Sequence, residues 1–495
     1  MSFTVLSFVI IFMFAMVACV EIYRGVHRGF LLSLVTLGNI VLSLLLTFAL
    51  MPLLTNLIAK LAVKLINTVR VYKNFAQILP TLDSVVQSVV EMLVGSVLFV
   101  FIFFVLRIVL SWLLGIIYKL CTIRKSDDPG YGRDDHSCAS RESKMRGGFC
   151  GFVSALLITM IIVSPVMGTL ELANSALTIV GNASNKAIST IGKGNVAEVK
   201  NFSNDIVGNA FYRCGGRWIY NNAASTMISG QRAELLAEVE TIEAMSGDML
   251  LVYGIFQKPQ EATQEHIAAL ERLREKLPDL TVCERLIGDV IRQCATAWKQ
   301  GNSFLTVKRP AMNSFVEPTF LQILEECSNT TSYNAEQNAD TILEIYGILL
   351  ESGVFSMKSG DYEQILQQMT EHDTIKRVDQ ALKKNPHIEN IETSAIVMNV
   401  FVSYLDGQKL SDSQYNELMN GLAIALNTVN SYSNLSDDLK EKELARHLQT
   451  AMSEQGIHFS LSMAETLSEQ LLNEFSGTGI SAENVKSLIK KYKNG

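Results

Sequence analysis

Four apolar runs in the first 170 residues constrain this chain more than any other feature of its sequence. They are Phe3–Ile22, Phe30–Leu50, Leu93–Tyr118 and Gly148–Gly168. Each reaches the roughly 20 residues that a helix needs to cross about 30 Å of hydrocarbon at about 1.5 Å per residue. The sequence therefore predicts a four-helix transmembrane module over residues 1–170.

The charge distribution changes at the end of these runs. Residues 1–169 carry 14 Lys and Arg against 8 Asp and Glu, whereas residues 170–495 carry 28 against 41. Such an asymmetry indicates two regions that lie in different environments. The acidic second region argues against nucleic acid as a partner, because phosphates need a basic surface.

Loop charges predict the orientation of the module, since basic short loops stay in the cytoplasm. One side of the membrane carries nine basic residues: Arg24, Arg28, Lys119, Arg124, Lys125, Arg133, Arg141, Lys144 and Arg146. The opposite loop carries four: Lys60, Lys64, Arg70 and Lys73. We therefore expect a multi-pass protein of the inner or plasma membrane with both termini, and the acidic region, outside the cytoplasm.

Within the opposite loop, residues 53–69 form an amphipathic helical pattern that either lies in the membrane interface or packs on the bundle.

Helical periodicity dominates the acidic region. Apolar residues recur at helical spacing over Leu235–Leu250 and Val282–Trp298, and no sustained alternation argues for strands. The pattern predicts an all-α fold, with the transmembrane module followed by a soluble helical domain. A break near Lys308–Pro318 divides this domain into subdomains at 171–310 and 311–495.

Polar patterns mark two helix starts in that domain. Ser411 with Gln414, and Ser481 near Glu483, resemble N-capping residues. The unusual run Arg213–Trp218 has three interpretations: a hinge, a contact with lipid headgroups, or an ordinary joint between two helices.

A seven-residue pattern, R-G-x-x-x-G-F, occurs twice next to the predicted spans. Its residues are Arg24, Gly25, Gly29 and Phe30, together with Arg28, in the first copy and Arg146, Gly147, Gly151 and Phe152 in the second. Two glycines four positions apart leave one helical face without side chains, which lets another backbone approach closely in lipid. The two copies are either a functional repeat at the cytoplasmic ends of two spans or a coincidence.

These residues also carry a family resemblance. The run Y-R-G-V-H-R-G-F-L-L-S-L-V-T-L before and within the second span, and R-G-G-F-C-G-F at the start of the fourth, resemble the colicin V production protein (CvpA) family over about residues 1–170. The resemblance implies an inner-membrane protein linked to toxin (bacteriocin) production or export, or to envelope homeostasis, without established catalytic residues. Some relatives carry a serine protease after the fourth span, where this chain carries its long helical extension.

Two polar residues lie near the middle of predicted spans. Arg107 falls in the third span, where burial costs at least about 2.5 kcal/mol, and Asn39 falls at a similar depth in the second. A hydrogen bond between them would satisfy both side chains. Arg107 either lines a path for a solute or ion, or holds helices together, or extends its head to the membrane surface.

The cysteines of the acidic region allow two interpretations. Cys214, Cys283, Cys294 and Cys327 could form two disulfides outside the cytoplasm, or all four could be buried thiols. A Cys283–Cys294 pair is excluded if both lie on one predicted helix, because eleven residues separate them by roughly 16 Å along its axis.

The sequence contains no recognisable catalytic motif, and we expect neither an enzyme nor a bound cofactor or metal. The leading hypothesis is a non-enzymatic membrane protein that supports toxin export or envelope homeostasis. Its expected partners are the lipid bilayer, a second copy of the chain, and export machinery or a cell-wall component. The alternative is an oligomeric transporter or channel subunit. A sensor is disfavoured because only the loop 119–146 would serve as a cytoplasmic output region.

Overall fold

The structure is a computed structural model that describes most of the chain. Its description leaves out residues 1–4, 67–78, 127–140, 184–208, 229, 305–307, 311–315, 330–334, 357–361, 389–390, 392 and 494–495. The centre of the predicted break at 308–318 and half of the basic loop 119–146 therefore lie outside the described residues.

Three helices in the described part are long and apolar enough to cross a membrane. They are α1 (Val5–Ile66), α2 (Leu82–Ser126) and α3 (Arg141–Ala183). The first two predicted runs, at 3–22 and 30–50, lie in α1 on either side of a kink at Gly29. Residues 53–66 of the predicted amphipathic segment extend the second of these two helical parts, and the remaining three lie outside the described residues.

Helix α1 is broken at Gly29, whose φ of 74° and ψ of 178° are not helical. This backbone conformation is one that only glycine adopts without strain. Glu21 and Asn39 stand 18 positions apart, which is about 27 Å in a straight helix, yet both contact Arg107. The two arms of α1, residues 5–28 and 30–66, therefore fold back on each other at Gly29.

A short segment follows the long helices and packs against them. It comprises a π-helical turn (Tyr212–Gly216), α4 (Arg217–Ala223) and an antiparallel hairpin of β1 (Ser225–Ile228) and β2 (Gln231–Glu234). The prediction of no strands is therefore wrong for these residues. The four-residue strands are too short to produce the alternation by which strands are recognised in a sequence.

The rest of the described chain is helical, which confirms the all-α class there. Its helices are α5 (Leu235–Gln257), α6 (Gln264–Lys276), α7 (Glu284–Lys299), α8 (Glu317–Asn329), α9 (Ala335–Glu351), α10 (Tyr362–Glu371), α11 (Thr374–Lys383), α12 (Ser394–Gly407), α13 (Asp412–Asn430), α14 (Asp437–Glu454), α15 (Leu461–Glu474) and α16 (Ala482–Lys493). Helical turns of the 3-10 type lie at Pro259–Glu261, Leu277–Asp279 and Val354–Ser356.

The chain forms two compact units. The first comprises Met1–Gly247 with Asp279–Cys283, and the second Asp248–Pro278 with Glu284–Gly495. This division falls at other positions than residues 170 and 310. Inside the first unit, the aromatic rings of Phe99 and Phe103 are fully buried between the long helices.

The second unit contains two groups of helices that pack around α9 and around α12. Helix α9 packs against α6, α7 and α11, and its fully buried Tyr346 lies 4.5 Å from the ring of Phe256 and 5.5 Å from that of Phe355. Helix α12 packs against α10, α15 and α16, with Phe401 6.0 Å from Phe459.

The structure tests both predicted helix caps. Ser411 accepts a hydrogen bond from the backbone of Gln414, whose side chain returns to Ser411, so this capping box is confirmed. Ser481 caps α16 with the side chain of Asn484 rather than Glu483. The residue three positions after the cap is the one that can reach back to its amide.

Candidate functional site

The glycines of the two R-G-x-x-x-G-F copies meet where α3 crosses the first arm of α1. A Cβ atom on Gly147 would collide with the carbonyl oxygen of Gly25 and would lie 2.9 Å from the carbonyl carbon of Gly29. One turn further along α3, a Cβ on Gly151 would lie 2.7 Å from the backbone carbon of Glu21. The obstructing atoms belong to backbone, so only glycine permits this approach. We call the contact of Gly147 and Gly151 of α3 with the backbone of Glu21, Gly25 and Gly29 of α1 the glycine junction.

Hydroxyl groups satisfy the backbone where α1 breaks. The amide of Phe30, freed by the break, donates to Ser143 Oγ of α3 at 3.1 Å. Ser33 Oγ donates to the carbonyl oxygen of Gly29 at 2.7 Å and lies 3.2 Å from that of Gly25. These bonds provide partners for backbone groups that the break leaves without a helical partner, and they therefore stabilise the fold-back.

A buried carboxylate next to the junction holds two arginines. Glu21 is 8% exposed, and its Oε1 lies 3.1 Å from Arg107 and 3.4 Å from Arg24. The sequence did not indicate Glu21 as the partner of Arg107. The signal for it was a single carboxylate within the apolar run 3–22, where an unpaired charge is costly.

The expected hydrogen bond between Asn39 and Arg107 forms through the backbone and not through the guanidinium. Asn39 Nδ2 donates to the backbone oxygen of Arg107 at 3.5 Å and to Ser111 Oγ at 2.7 Å. The guanidinium turns to Glu21 because a charged pair is a stronger interaction than a bond to a neutral amide. Asn39 and Arg107 do lie side by side, and together they join both arms of α1 to α2.

An open groove of about 870 Å³ borders this ionic cluster. Its charged lining consists of Glu21, Arg24, Arg28 and Arg107. Its apolar lining comes from the second arm of α1 and from α2, and comprises Leu32, Val35, Phe104, Ile108, Leu114 and Ile117. We call it the arginine groove.

The other residues of the second motif copy have different surroundings from their counterparts. Arg146 lies on the surface and pairs with Glu142 one turn earlier, at 2.6 Å. Phe152 makes an edge-to-face contact with Phe14 at 5.9 Å. The two copies thus share close backbone contacts at Gly25 and Gly147, but only the first copy breaks its helix, at Gly29.

A second buried carboxylate anchors the segment that follows the long helices. Glu171 of α3 accepts a hydrogen bond from Tyr212 Oη at 2.5 Å and lies 3.5 Å from Arg217. Arg217 also pairs with Glu240 of α5. The run 213–218 is itself helical, since it forms the π-helical turn and the start of α4, and Glu171 contacts both Tyr212 and Arg217.

The second unit contains an ion-pair network beside a cavity of about 130 Å³. Arg274 lies 2.7 Å from Asp340 and 2.7 Å from Glu344, and Lys384 lies 2.6 Å from Glu344. These contacts join α6 and α9 to the C-terminal end of α11. We assign the network to helix packing.

The four cysteines of the acidic region, residues 170–495, form no disulfide among the described residues. Cys294 and Cys327 are buried, Cys283 is half-buried and Cys214 is exposed. Burial raises the pKa of the Cys283, Cys294 and Cys327 thiols to about 12. In the part of the chain that the structure describes, no group of His, Cys, Asp and Glu is placed to hold a metal ion.

Comparisons of the chain with models of protein families, with curated proteins and with solved structures found no match.

Proposed function

We propose that this protein is a non-enzymatic membrane protein in which a CvpA-like, four-span module carries an extracytoplasmic helical domain. Its role would be to support toxin production or export, or envelope homeostasis. The helical domain would bind export machinery or a cell-wall component.

The dimensions of the α1 arms support four spans. From Gly29 to Phe48 the second arm covers 19 residues, about 28 Å, which is close to the thickness of the hydrocarbon core. At the end of this 19-residue stretch, Phe48 contacts Trp218, whose side chain is 61% exposed, at 5.7 Å. Exposed tryptophan is typical of a membrane–water interface. With Trp218 at one membrane surface, the segment 209–234 would lie at that surface and the glycine junction would lie at the opposite one.

The observation that carries the proposal is the glycine junction. Backbone contact at two successive turns fixes the first arm of α1 against α3, and Glu21 neutralises Arg107 from the same arm. A module in which helices touch at backbone distance and the intramembrane charges pair with each other suits a rigid anchor better than a path for ions.

A secretion and permeability assay in the source organism tests this role. Deletion of the gene should lower the export of toxin or raise the uptake of a dye that an intact envelope excludes. The wild-type chain should restore the phenotype, and a chain truncated after residue 234 should not, although it retains the long helices. An unchanged phenotype after deletion would contradict the proposal.

Labelling locates the helical domain in the same cells. A cysteine added after Gly495, in a variant without the native cysteines, should react with a membrane-impermeant thiol reagent in intact cells. Labelling only after lysis would place the acidic domain in the cytoplasm and contradict the proposed orientation.

The arginine groove favours a second candidate, an oligomeric transporter or channel subunit. In that case Arg107 would face a path formed between copies of the chain. Flux of anions into vesicles containing the purified protein, lowered by Arg107→Ala, would support this function. Absence of flux would remove it.

A further inference from the structure

We infer that the arginine groove binds the phosphate of an anionic phospholipid, with an acyl chain along its apolar side. The inference depends on the membrane location of the module and not on its proposed role in export.

The charges of the groove do not cancel. Three arginines face a single carboxylate, so the cluster has a net charge of about +2 within one open groove. Arg107 is 17% exposed and is held by Glu21, whereas the side chain of Arg24 is 53% exposed. Arg28 is exposed and has no ion-pair partner among the described residues. Arg24 and Arg28 therefore have donors free for an anion, and guanidinium groups suit phosphate oxygens because they donate in pairs.

The position of these donors matches a headgroup. Arg28 adjoins the fold-back at Gly29, and Arg24 lies five residues before it, about 7.5 Å along the helix. In the proposed module the fold-back lies at a membrane surface, which is where lipid phosphates lie. Basic pockets between membrane helices at that depth bind the headgroups of anionic lipids.

The apolar side of the groove distinguishes a lipid from a free anion. Leu32, Val35 and Ile108 are 47%, 51% and 68% exposed, and they line the same groove as the arginines. A site for free phosphate would gain nothing from these side chains. A phospholipid would cover them with an acyl chain while its phosphate meets Arg24 and Arg28.

Native mass spectrometry of the full-length protein in detergent tests the inference. The probes are phosphatidylglycerol and, for comparison, zwitterionic phosphatidylcholine. The wild-type chain should bind phosphatidylglycerol in preference. Each lost arginine should weaken that binding roughly fivefold, which corresponds to about 1 kcal/mol, so Arg24→Gln with Arg28→Gln should weaken it roughly 25-fold.

Arg146→Gln is the matched control, because it removes an exposed arginine from the same end of the module but outside the groove. It should bind like the wild type. Equal loss in this control, or equal binding of both lipids by the wild type, would overturn the site. Arg28→Gln alone, at an exposed position, should still show the fivefold loss if the double variant fails to fold.

Inorganic phosphate separates the two sources of a phosphate group. Phosphate alone should neither bind the detergent-purified protein nor displace phosphatidylglycerol. Displacement of phosphatidylglycerol by millimolar phosphate would show that the groove binds a free anion and not a lipid. Recovery of all variants in the membrane fraction, measured in parallel, distinguishes failure of this site from failure of the proposed membrane location.

Discussion

The glycine junction predicts that a single added methyl group at Gly147 destabilises the module. In Gly147→Ala the new Cβ would overlap the carbonyl oxygen of Gly25 and would lie 2.9 Å from the carbonyl carbon of Gly29. An ordinary contact begins at 3.4 Å. Because both obstructing atoms are backbone, no side chain can rotate away. The two helices must separate at Gly29 by at least the difference between 2.9 Å and 3.4 Å, and by more at Gly25.

This separation sets the expected magnitude. Overpacking of a tightly packed interior costs about 1–3 kcal/mol. It also draws Glu21 away from Gly151, and the carboxylate of Glu21 holds Arg107. We therefore expect Gly147→Ala to lower the free energy of unfolding by about 2–3 kcal/mol, despite the higher helix propensity of alanine.

Unfolding by sodium dodecyl sulphate in mixed micelles, followed by circular dichroism, measures this change. Gly38→Ala is the matched control, since it lies in the second arm of α1 with nothing within 4 Å of its added Cβ. That variant should be as stable as the wild type or slightly more stable. If Gly147→Ala were as stable as Gly38→Ala, the two helices would not be locked by backbone contact, and the argument for a rigid anchor would be refuted.

Three further predictions concern other parts of the chain. Gly29→Ala should lower the free energy of unfolding by about 1–3 kcal/mol in the same assay, because the positive φ of this position is strained for any L residue with a side chain. A variant as stable as the wild type would show that the fold-back tolerates a side chain at this position. Glu238 is almost fully buried and accepts hydrogen bonds from three backbone amides at 2.7–2.9 Å. Glu238→Ala should therefore lower the free energy of unfolding by about 3 kcal/mol, and Glu238→Gln should lower it by less. Equal losses in the two variants would contradict a role for the charge of Glu238. At mildly alkaline pH the exposed Cys214 should react with N-ethylmaleimide in the folded protein. Cys294 and Cys327 should react only after denaturation, because the raised pKa keeps the buried thiols protonated; peptide mass spectrometry distinguishes these outcomes, and rapid labelling of either would contradict their burial.

The sequence by itself determined the features that depend on neighbours along the chain. The apolar runs and their length indicated helices able to cross a membrane, and the spacing of apolar residues located α5 and α7. The cap at Ser411 was also readable, because its partner lies three residues away. Helical hydrogen bonds and caps join residues within one turn, so periodicity and short patterns contain the necessary information.

Only the tertiary structure decided which of these helices meet. The sequence contained both glycine motifs and Arg107, and it predicted a loop between the spans at 3–22 and 30–50. It did not indicate that the break would fall at Gly29 or that Glu21 is the partner of that arginine. Glu21 and Arg107 stand 86 positions apart, and Gly25 and Gly147 stand 122 apart. Such pairs form because close backbone contact and charge neutralisation minimise the free energy of the packed bundle, and neither interaction has a periodic signature along the chain.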